Sequence, residues 1–214
     1  MNFICSGNTA DIYEYDSGRI CKVYKSWFPE EYITIESCNA AKAAAVGIRV
    51  PEYYGQICVD GRVGSIFEHI SGNCLSECDG CDIEKQLSEL HLDLLEHCGD
   101  GFIDYRDFLI GMIMAKTNGE ELLKDRIRAL PDGKALLHGD FHPGNVMLDS
   151  GGGKVIIDLM NMCCGPKEFD IARTFFLLNF RDEERAFRYL KYMNTEIEEI
   201  EVYLDIIREC RKYE

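Results

Sequence analysis

Leu136-Leu137-His138-Gly139-Asp140-Phe141-His142-Pro143-Gly144-Asn145-Val146-Met147-Leu148-Asp149, followed closely by Val155-Ile156-Ile157-Asp158-Leu159, joins short apolar runs to polar segments whose Asp, Asn and His have no obvious packing role. The runs are rich in Val, Ile and Leu and read as strands. Between Met147 and Lys154 lies the glycine-rich segment Leu148-Asp149-Ser150-Gly151-Gly152-Gly153, a turn that folds the second strand back beside the first. The hairpin is expected to bring Asp140, Asn145 and Asp158 to one end. Asp140 and Asn145 stand five apart around a Pro-Gly bend, so one oxygen is placed to take a hydroxyl proton while another faces a cation. Asp158 adds a hard carboxylate oxygen of the kind Mg²⁺ prefers. A positioned hydroxyl and cations that neutralise phosphate charge are the requirements of phosphoryl transfer.

His138-Gly139-Asp140-Phe141-His142-Pro143-Gly144-Asn145 with Ile157-Asp158 resembles the catalytic core of the aminoglycoside phosphotransferase and choline kinase family, relatives of the protein kinases. The spacing from base Asp to metal Asn matches the kinase catalytic-loop pattern. The plain alternative is a surface hairpin with solvated acids and an Asx-type turn. The joint occurrence of H-G-D, an Asn five residues later and an Ile-Asp strand end with Asp158 thirteen residues beyond that Asn argues against it.

The resemblance implies an α+β, two-lobed protein-kinase-like fold. A small five-stranded antiparallel lobe with one helix, residues 1–70, would bind nucleotide. A mainly helical lobe, residues 71–214, would hold the catalytic hairpin and the acceptor. It also implies ATP or GTP with Mg²⁺, Asp140 as catalytic base, and Asn145 and Asp158 as metal ligands.

Composition sets the outer limits. The 214 residues suffice for one substantial domain or two small lobes. There is no run of eighteen apolar residues, and the N-terminal Met1-Asn2-Phe3-Ile4-Cys5-Ser6 lacks the basic and long apolar regions of a signal peptide, so a soluble cytoplasmic protein is expected. Eleven cysteines then read as reduced thiols. Cys74, Cys78 and Cys81 have the C-x3-C-x2-C spacing used for a 4Fe-4S cluster, but no strand-helix alternation of a radical enzyme follows them, and incidental thiols are the preferred reading. The formal charge of −15 argues against a nucleic-acid partner. Residues Ser71 to Ile110 hold ten Asp or Glu against only Lys85 and Arg106, which suits a cationic acceptor or, more simply, a solvated helix face.

In chain order, Phe3-Ile4-Cys5, Asp11 to Tyr15 and Arg19 to Tyr24 read as a three-stranded meander. Its first turn, with Gly7, Asn8, Thr9 and Ala10, looks like a reduced form of the family's nucleotide-phosphate turn. Lys22 lies between apolar neighbours on the third strand and matches the family lysine that contacts the α- and β-phosphates; Lys25 is the fallback. Pro29-Glu30-Glu31 opens a helix that runs through Ala45 and ends at Gly47. In the family a glutamate here pairs with the lysine: Glu36 is the first choice and Glu31 the alternate. Asp60-Gly61 between two β-rich runs signals a hairpin. Glu68, His69 and Ile70 then resemble the hinge whose backbone receives adenine.

From Asp82, a plausible N-cap, Ile83, Leu87, Leu90, Leu94 and Leu95 mark a helix with His91 beside its apolar stripe. Helical runs over Phe108 to Ala115 and Glu120 to Leu130 precede the catalytic stretch. Gly165-Pro166-Lys167-Glu168-Phe169-Asp170-Ile171-Ala172 resembles a family segment whose acid, here Asp170, braces the catalytic loop. Phe175 to Phe180, Arg185 to Met193 and Ile197 to Arg211 read as the closing helices. This tail is shorter than in typical members, so it leaves open the acceptor's identity, and no feature fixes the oligomeric state. A protein kinase would need an activation segment, for which there is little room between Asp158 and Gly165. A nucleotide-binding pseudokinase or regulatory scaffold is disfavoured by the presence of base, metal ligands and lysine together.

Overall fold

The computed structural model describes residues 1–117 and 120–213; residue 214, the end of the expected second lobe, lies outside them. The chain divides into two compact units, one of residues Met1–Glu77 with Val146–Met160, the other of Cys78–Asn145 with Asn161–Glu214.

The first unit contains β1 (Asn2–Ser6), β2 (Ala10–Asp16), β3 (Arg19–Tyr24), α1 (Glu30–Ala45), β4 (Tyr53–Val59) and β5 (Arg62–Glu68). The five strands form one antiparallel sheet in the order β1-β2-β3-β5-β4. The β4–β5 connection is the Asp60-Gly61 turn, with φ of 50° and 76° at the two residues, the left-handed pair that matches strand twist in a two-residue hairpin. On the central strands Cys21, Val23, Tyr24, Ile66 and Phe67 are buried, whereas β1 is an exposed edge. Helix α1 starts after Pro29, carries Glu30 and Glu31 in its first turn and Lys42 in its last, and so complements its own dipole at both ends. It buries Ile33, Ala40 and Ala43 together with the polar Glu36, Ser37 and Asn39. Ile33 joins Ala10 and Tyr24 in the core, with Phe28 and Val63 packed against them. Full burial of Ile33 is worth about 2 kcal/mol.

The same unit holds a three-stranded antiparallel sheet, β10-β9-β6, made of β6 (Gly72–Cys74), β9 (Val146–Asp149) and β10 (Lys154–Ile156). Val146 faces Ile156 and Leu148 faces Lys154 in the β9–β10 hairpin. The glycine-rich turn is closed by the Asp149 side chain, which accepts hydrogen bonds from the amides of Gly151 and Gly153, each at 2.8 Å.

The second unit is mainly helical: α2 (Ile83–Leu95), α3 (Tyr105–Lys116), α4 (Glu121–Arg128), α5 (Lys167–Asn179), α6 (Glu183–Met193) and α7 (Ile197–Cys210). Asp82 caps α2 by accepting from the Lys85 amide at 3.0 Å. Short strands β7 (Ile103–Asp104), β8 (Ala135–Leu137) and β11 (Cys163–Gly165) form a small sheet in the order β7-β11-β8. Leu136 and Leu137 therefore belong to a different sheet from Val146–Asp149, although the two runs are close in sequence. Helix α5 packs against α6 and α7, and α2 against α6. Leu87, Leu94, Phe141, Phe169, Tyr189 and Ile200 are fully buried here.

The last helical set begins earlier than its apolar residues suggest. Phe175 is the first obvious marker, yet α5 starts at Lys167, behind Pro166. Its first turns bury Asp170 and Arg173, polar residues that hide the helical period from a hydrophobic pattern. No helix among the described residues is long and apolar enough to cross a membrane.

Candidate active site

In the second unit, one face of α5 holds the loop His138 to Phe141 by its backbone. Asp170, Arg173 and Thr174 lie three and four residues apart on that face. The Asp170 carboxylate accepts from the His138 amide at 2.7 Å and the Gly139 amide at 2.8 Å. The Arg173 Nε donates to the Gly139 carbonyl at 2.8 Å, and the Thr174 hydroxyl to the Phe141 carbonyl at 2.9 Å. All three side chains are buried. Gly139 has φ of +76°, and an added Cβ would stand 2.4 Å from the Asn161 carbonyl oxygen, so the loop shape requires glycine there.

Asp170 is braced in turn from two other helices. His91 of α2 lies between it and Tyr189 of α6, with Nε2 at 3.0 Å from Asp170 and Nδ1 at 2.7 Å from the Tyr189 hydroxyl. His91 thus bridges the two, with one ring nitrogen facing each. Burial pushes the Asp170 pKa up, but the hydrogen bond and charge of His91, with the loop amides, outweigh it and hold the carboxyl below the usual aspartate range.

This scaffold presents Asp140. Arg173 Nη2 lies 3.7 Å from one carboxylate oxygen and His142 Nε2 3.9 Å from the other. His142 Nδ1 accepts from the Gly144 amide at 3.0 Å. Asn145 is buried, and its side-chain nitrogen donates to the Asp140 carbonyl at 2.9 Å. The fold thus ties together two of the three residues singled out in the hairpin.

Asp158 belongs to the first unit, where it follows β10. Its backbone has φ of +61°, a left-handed conformation that costs a non-glycine residue of order 1 kcal/mol and that Asp tolerates better than most. Its Oδ1 lies 3.1 Å from Lys22 Nζ. Lys22 also donates to both carboxylate oxygens of Glu36, at 2.7 and 3.0 Å. The helix partner of the strand lysine is therefore Glu36, whereas Glu31 is exposed. Burial disfavours charge on Lys22, but Glu36 and Asp158 override it and keep its pKa above the ordinary lysine value. Three residues along α1 from Glu36, buried Asn39 donates to the Leu159 carbonyl at 2.9 Å, tying the helix to the segment just after Asp158.

The other nucleotide-site candidates lie in the same unit. The Gly7 to Ala10 turn is closed by the Gly7 amide donating to the Ala10 carbonyl at 2.8 Å, and the Lys25 amide holds the Thr9 carbonyl at 2.8 Å. Lys25, the alternative lysine, pairs with Asp11 rather than with Glu36. At the expected hinge, the Glu68 and His69 amides donate to the carbonyls of Glu52 and Gly18. The Glu68 side chain is clasped by Arg49 at 2.6 and 2.7 Å, and this pair holds the Glu68 carboxyl below the usual glutamate range.

Residues 96–200 match the model of the phosphotransferase enzyme family. Through that region, 105 of the 214 residues, the chain is similar to this family. The matched segment contains Asp140, Asn145, Asp158 and Asp170, and the chain is a phosphotransferase with a protein-kinase-like α+β fold. Among solved structures, it is similar to an aminoglycoside-3'-phosphotransferase of type VIII, with a TM-score of 0.73, 17% identity, and coverage of 98% of this chain and 93% of that one. The choline kinase LicA from Streptococcus pneumoniae gives a TM-score of 0.67 at 15% identity, covering 100% of this chain and 85% of the other. The aminoglycoside phosphotransferase APH(3'')-Id from Streptomyces rimosus, in complex with ADP and streptomycin, gives 0.67 at 12%, covering 96% and 91%. At such identities the likeness speaks for the fold. No curated protein sequence matches the chain.

Several residues of this phosphotransferase carry the site without standing out in the sequence. His91 reads as a core histidine, and the signal that it does more is its place on the Leu87-Leu94 stripe, where an imidazole must find two partners. Arg173 and Thr174 are legible only once Asp170 is known to lie on a helix. Asn39 stands out weakly, as an amide inside an alanine-rich helix.

Proposed function

We propose that this phosphotransferase moves the γ-phosphate of ATP or GTP to a hydroxyl of a small acceptor such as an amino sugar or amino alcohol. Residues 1–70 serve nucleotide binding and residues 71–214 serve catalysis and acceptor binding, in a cytoplasmic protein whose eleven cysteines are reduced and form no disulfide. Asp140 orients the acceptor hydroxyl and takes its proton. The acceptor oxygen forms the new bond to phosphorus as the bond from phosphorus to the β,γ-bridging oxygen breaks, and the nucleoside diphosphate leaves. The observation that supports this most is the mounting of Asp140, between Arg173 and His142 on a loop fixed by buried hydrogen bonds, inside the segment that matches the family.

Lys22, held by Glu36, steadies the α- and β-phosphates, and the Gly7-Asn8-Thr9-Ala10 turn covers them. With the Glu68 and His69 amides engaged, Ile70 supplies the hinge amide for the base. The donors offered for Mg²⁺ are hard oxygens, which fit that ion. Asn145 commits its side-chain nitrogen to Asp140, so its Oδ1 is the end presented to a cation, and Asp158 supplies a carboxylate. When bound, Mg²⁺ would neutralise charge on the phosphates.

Support for an amine acceptor is narrower than the acid count suggests. Glu84 is paired with Arg185 and Arg188, Glu96 with Lys167, Asp104 with Arg106, and Asp82 caps α2. The exposed Glu77, Asp79, Asp93, Asp100 and Asp107 are the acids in that segment better placed to attract a cation. The metal assignment is tested by nucleotide titrations across a Mg²⁺ series. Asp158→Asn is expected to lose most of the Mg²⁺ dependence of binding, and undiminished dependence would remove Asp158 from the ligand set.

A further inference from the structure

We infer that Tyr24 is a positioning residue for nucleotide phosphate binding: its hydroxyl locks the Glu36 carboxylate that aims Lys22. This rests on the reading of Lys22 as a phosphate contact, and it adds a residue to which the sequence resemblance did not point.

The placement follows from strand geometry. Lys22 and Tyr24 are two apart on β3 and so project from the same face, and both reach Glu36 on α1. The Tyr24 hydroxyl donates to Glu36 Oε2 at 2.6 Å, while Lys22 lies at 2.7 Å from Oε1 and 3.0 Å from Oε2. Glu36 is 3% exposed and Tyr24 1%, so neither has water as a substitute partner. The ring is held independently of the hydroxyl. It stacks on Phe28 with centroids 5.6 Å apart and an interplanar angle of 13°, and the Lys22 ammonium lies 5.7 Å from its centroid. Burial, reinforced by the Glu36 charge, raises the tyrosine pKa, so the group stays a donor through the working pH range.

The competition at Lys22 gives this bond its consequence. One ammonium faces two carboxylates, Glu36 and Asp158. A carboxylate anchored by an independent neutral donor holds its position when the ammonium moves to a phosphate. Without the anchor, Glu36 is free to rotate with Lys22, and the lysine is less well fixed against the pull of Asp158. Only the part of this charged hydrogen bond that is spent on orientation reaches the ligand, so a roughly three- to tenfold loss of nucleotide affinity is expected.

The test is titration of the full chain with ATP or GTP, whichever binds more tightly, in the presence of Mg²⁺, and with the matching nucleoside, which lacks phosphates. Tyr24→Phe removes the hydroxyl and keeps the stacked ring. It is expected to weaken the triphosphate roughly three- to tenfold and leave the nucleoside unchanged. In a Glu36→Gln background the same substitution is expected to add less than about twofold, because the two act through one carboxylate. Equal weakening of triphosphate and nucleoside, or equal loss in both backgrounds, would mean that Tyr24 only maintains the fold and would overturn the inference. Lys22→Met separates the two layers. If it weakens the triphosphate while Tyr24→Phe does not, the inference fails and the phosphate role of Lys22 stands; if Lys22→Met binds like the wild type, both fall.

Discussion

Replacing Asp170 by asparagine keeps the shape of the side chain and changes only its charge and its hydrogen bonding. The carboxylate accepts from the His138 amide, the Gly139 amide and His91 Nε2, at 2.7, 2.8 and 3.0 Å. An asparagine has one acceptor oxygen, and its best placement keeps that oxygen where two of the donors converge, facing His138 and His91. Its NH₂ group then meets the Gly139 amide, donor against donor. Leaving that buried amide unsatisfied costs about 1–3 kcal/mol, and each of the two surviving bonds loses about 1 kcal/mol on passing from a charged to a neutral acceptor. The total is about 3–5 kcal/mol. With a urea slope of about 3 kcal/mol/M, the unfolding midpoint is expected to fall by about 1–1.7 M. The folded Asp170 has a depressed pKa, so its contribution is present above the unfolded pKa near 3.8 and is lost as the pH falls through the lower folded value. The gap between wild type and Asp170→Asn is therefore widest near neutrality and narrows below about pH 4. Urea unfolding at pH 7 and pH 3.5 reads both effects. A midpoint shift below about 0.3 M at pH 7 would refute the claim that this carboxylate braces the loop.

Gly139→Ala combines a left-handed φ with a Cβ placed 2.4 Å from the Asn161 carbonyl oxygen, so the loop must shift. A loss of at least about 2 kcal/mol in thermal or urea unfolding is expected, with turnover reduced more than nucleotide affinity because Asp140 is the adjacent residue. Asn39→Leu removes the donor to the Leu159 carbonyl and leaves it buried, which should cost about 1–3 kcal/mol and weaken Mg²⁺-dependent nucleotide binding through Asp158. Unchanged stability and binding in that variant would show that the α1 amide has no hold on the segment.

The elements written plainly in the sequence were those whose local chemistry and burial agree. The Asp60-Gly61 turn, the proline and acids that open α1, and the Asp82 cap all appear where propensity places them, because each is decided within a few residues. Lys22 and Glu36 were legible by resemblance, and the fold supplies the distance that separates Glu36 from Glu31. Of the bracing network only Asp170 was legible, by resemblance, and its partners were not. His91, Asp170 and Tyr189 come from α2, α5 and α6, and no periodicity relates residues 79 and 98 positions apart. Polar residues at core positions also masked the start of α5, since the hydrophobic pattern that reveals a helix is interrupted by the buried Asp170 and Arg173 that make it useful. Acceptor choice is harder still, because the acids of the Ser71 to Ile110 segment divide into paired and exposed groups only in three dimensions.

In the proposed reaction Asp140 serves the transfer of phosphate to an acceptor hydroxyl. Its most direct test is nucleoside diphosphate release by wild type and Asp140→Ala, with Mg²⁺ and ATP or GTP, across amino sugars, choline-like alcohols, sugars and nucleosides. At least one acceptor is expected to stimulate release by the wild type, with phosphate recovered on its hydroxyl, and Asp140→Ala is expected to lose that stimulation by about a hundredfold or more. Acceptor-stimulated release that survives in Asp140→Ala, or no stimulation by any acceptor together with an unchanged background rate in the variant, would contradict it.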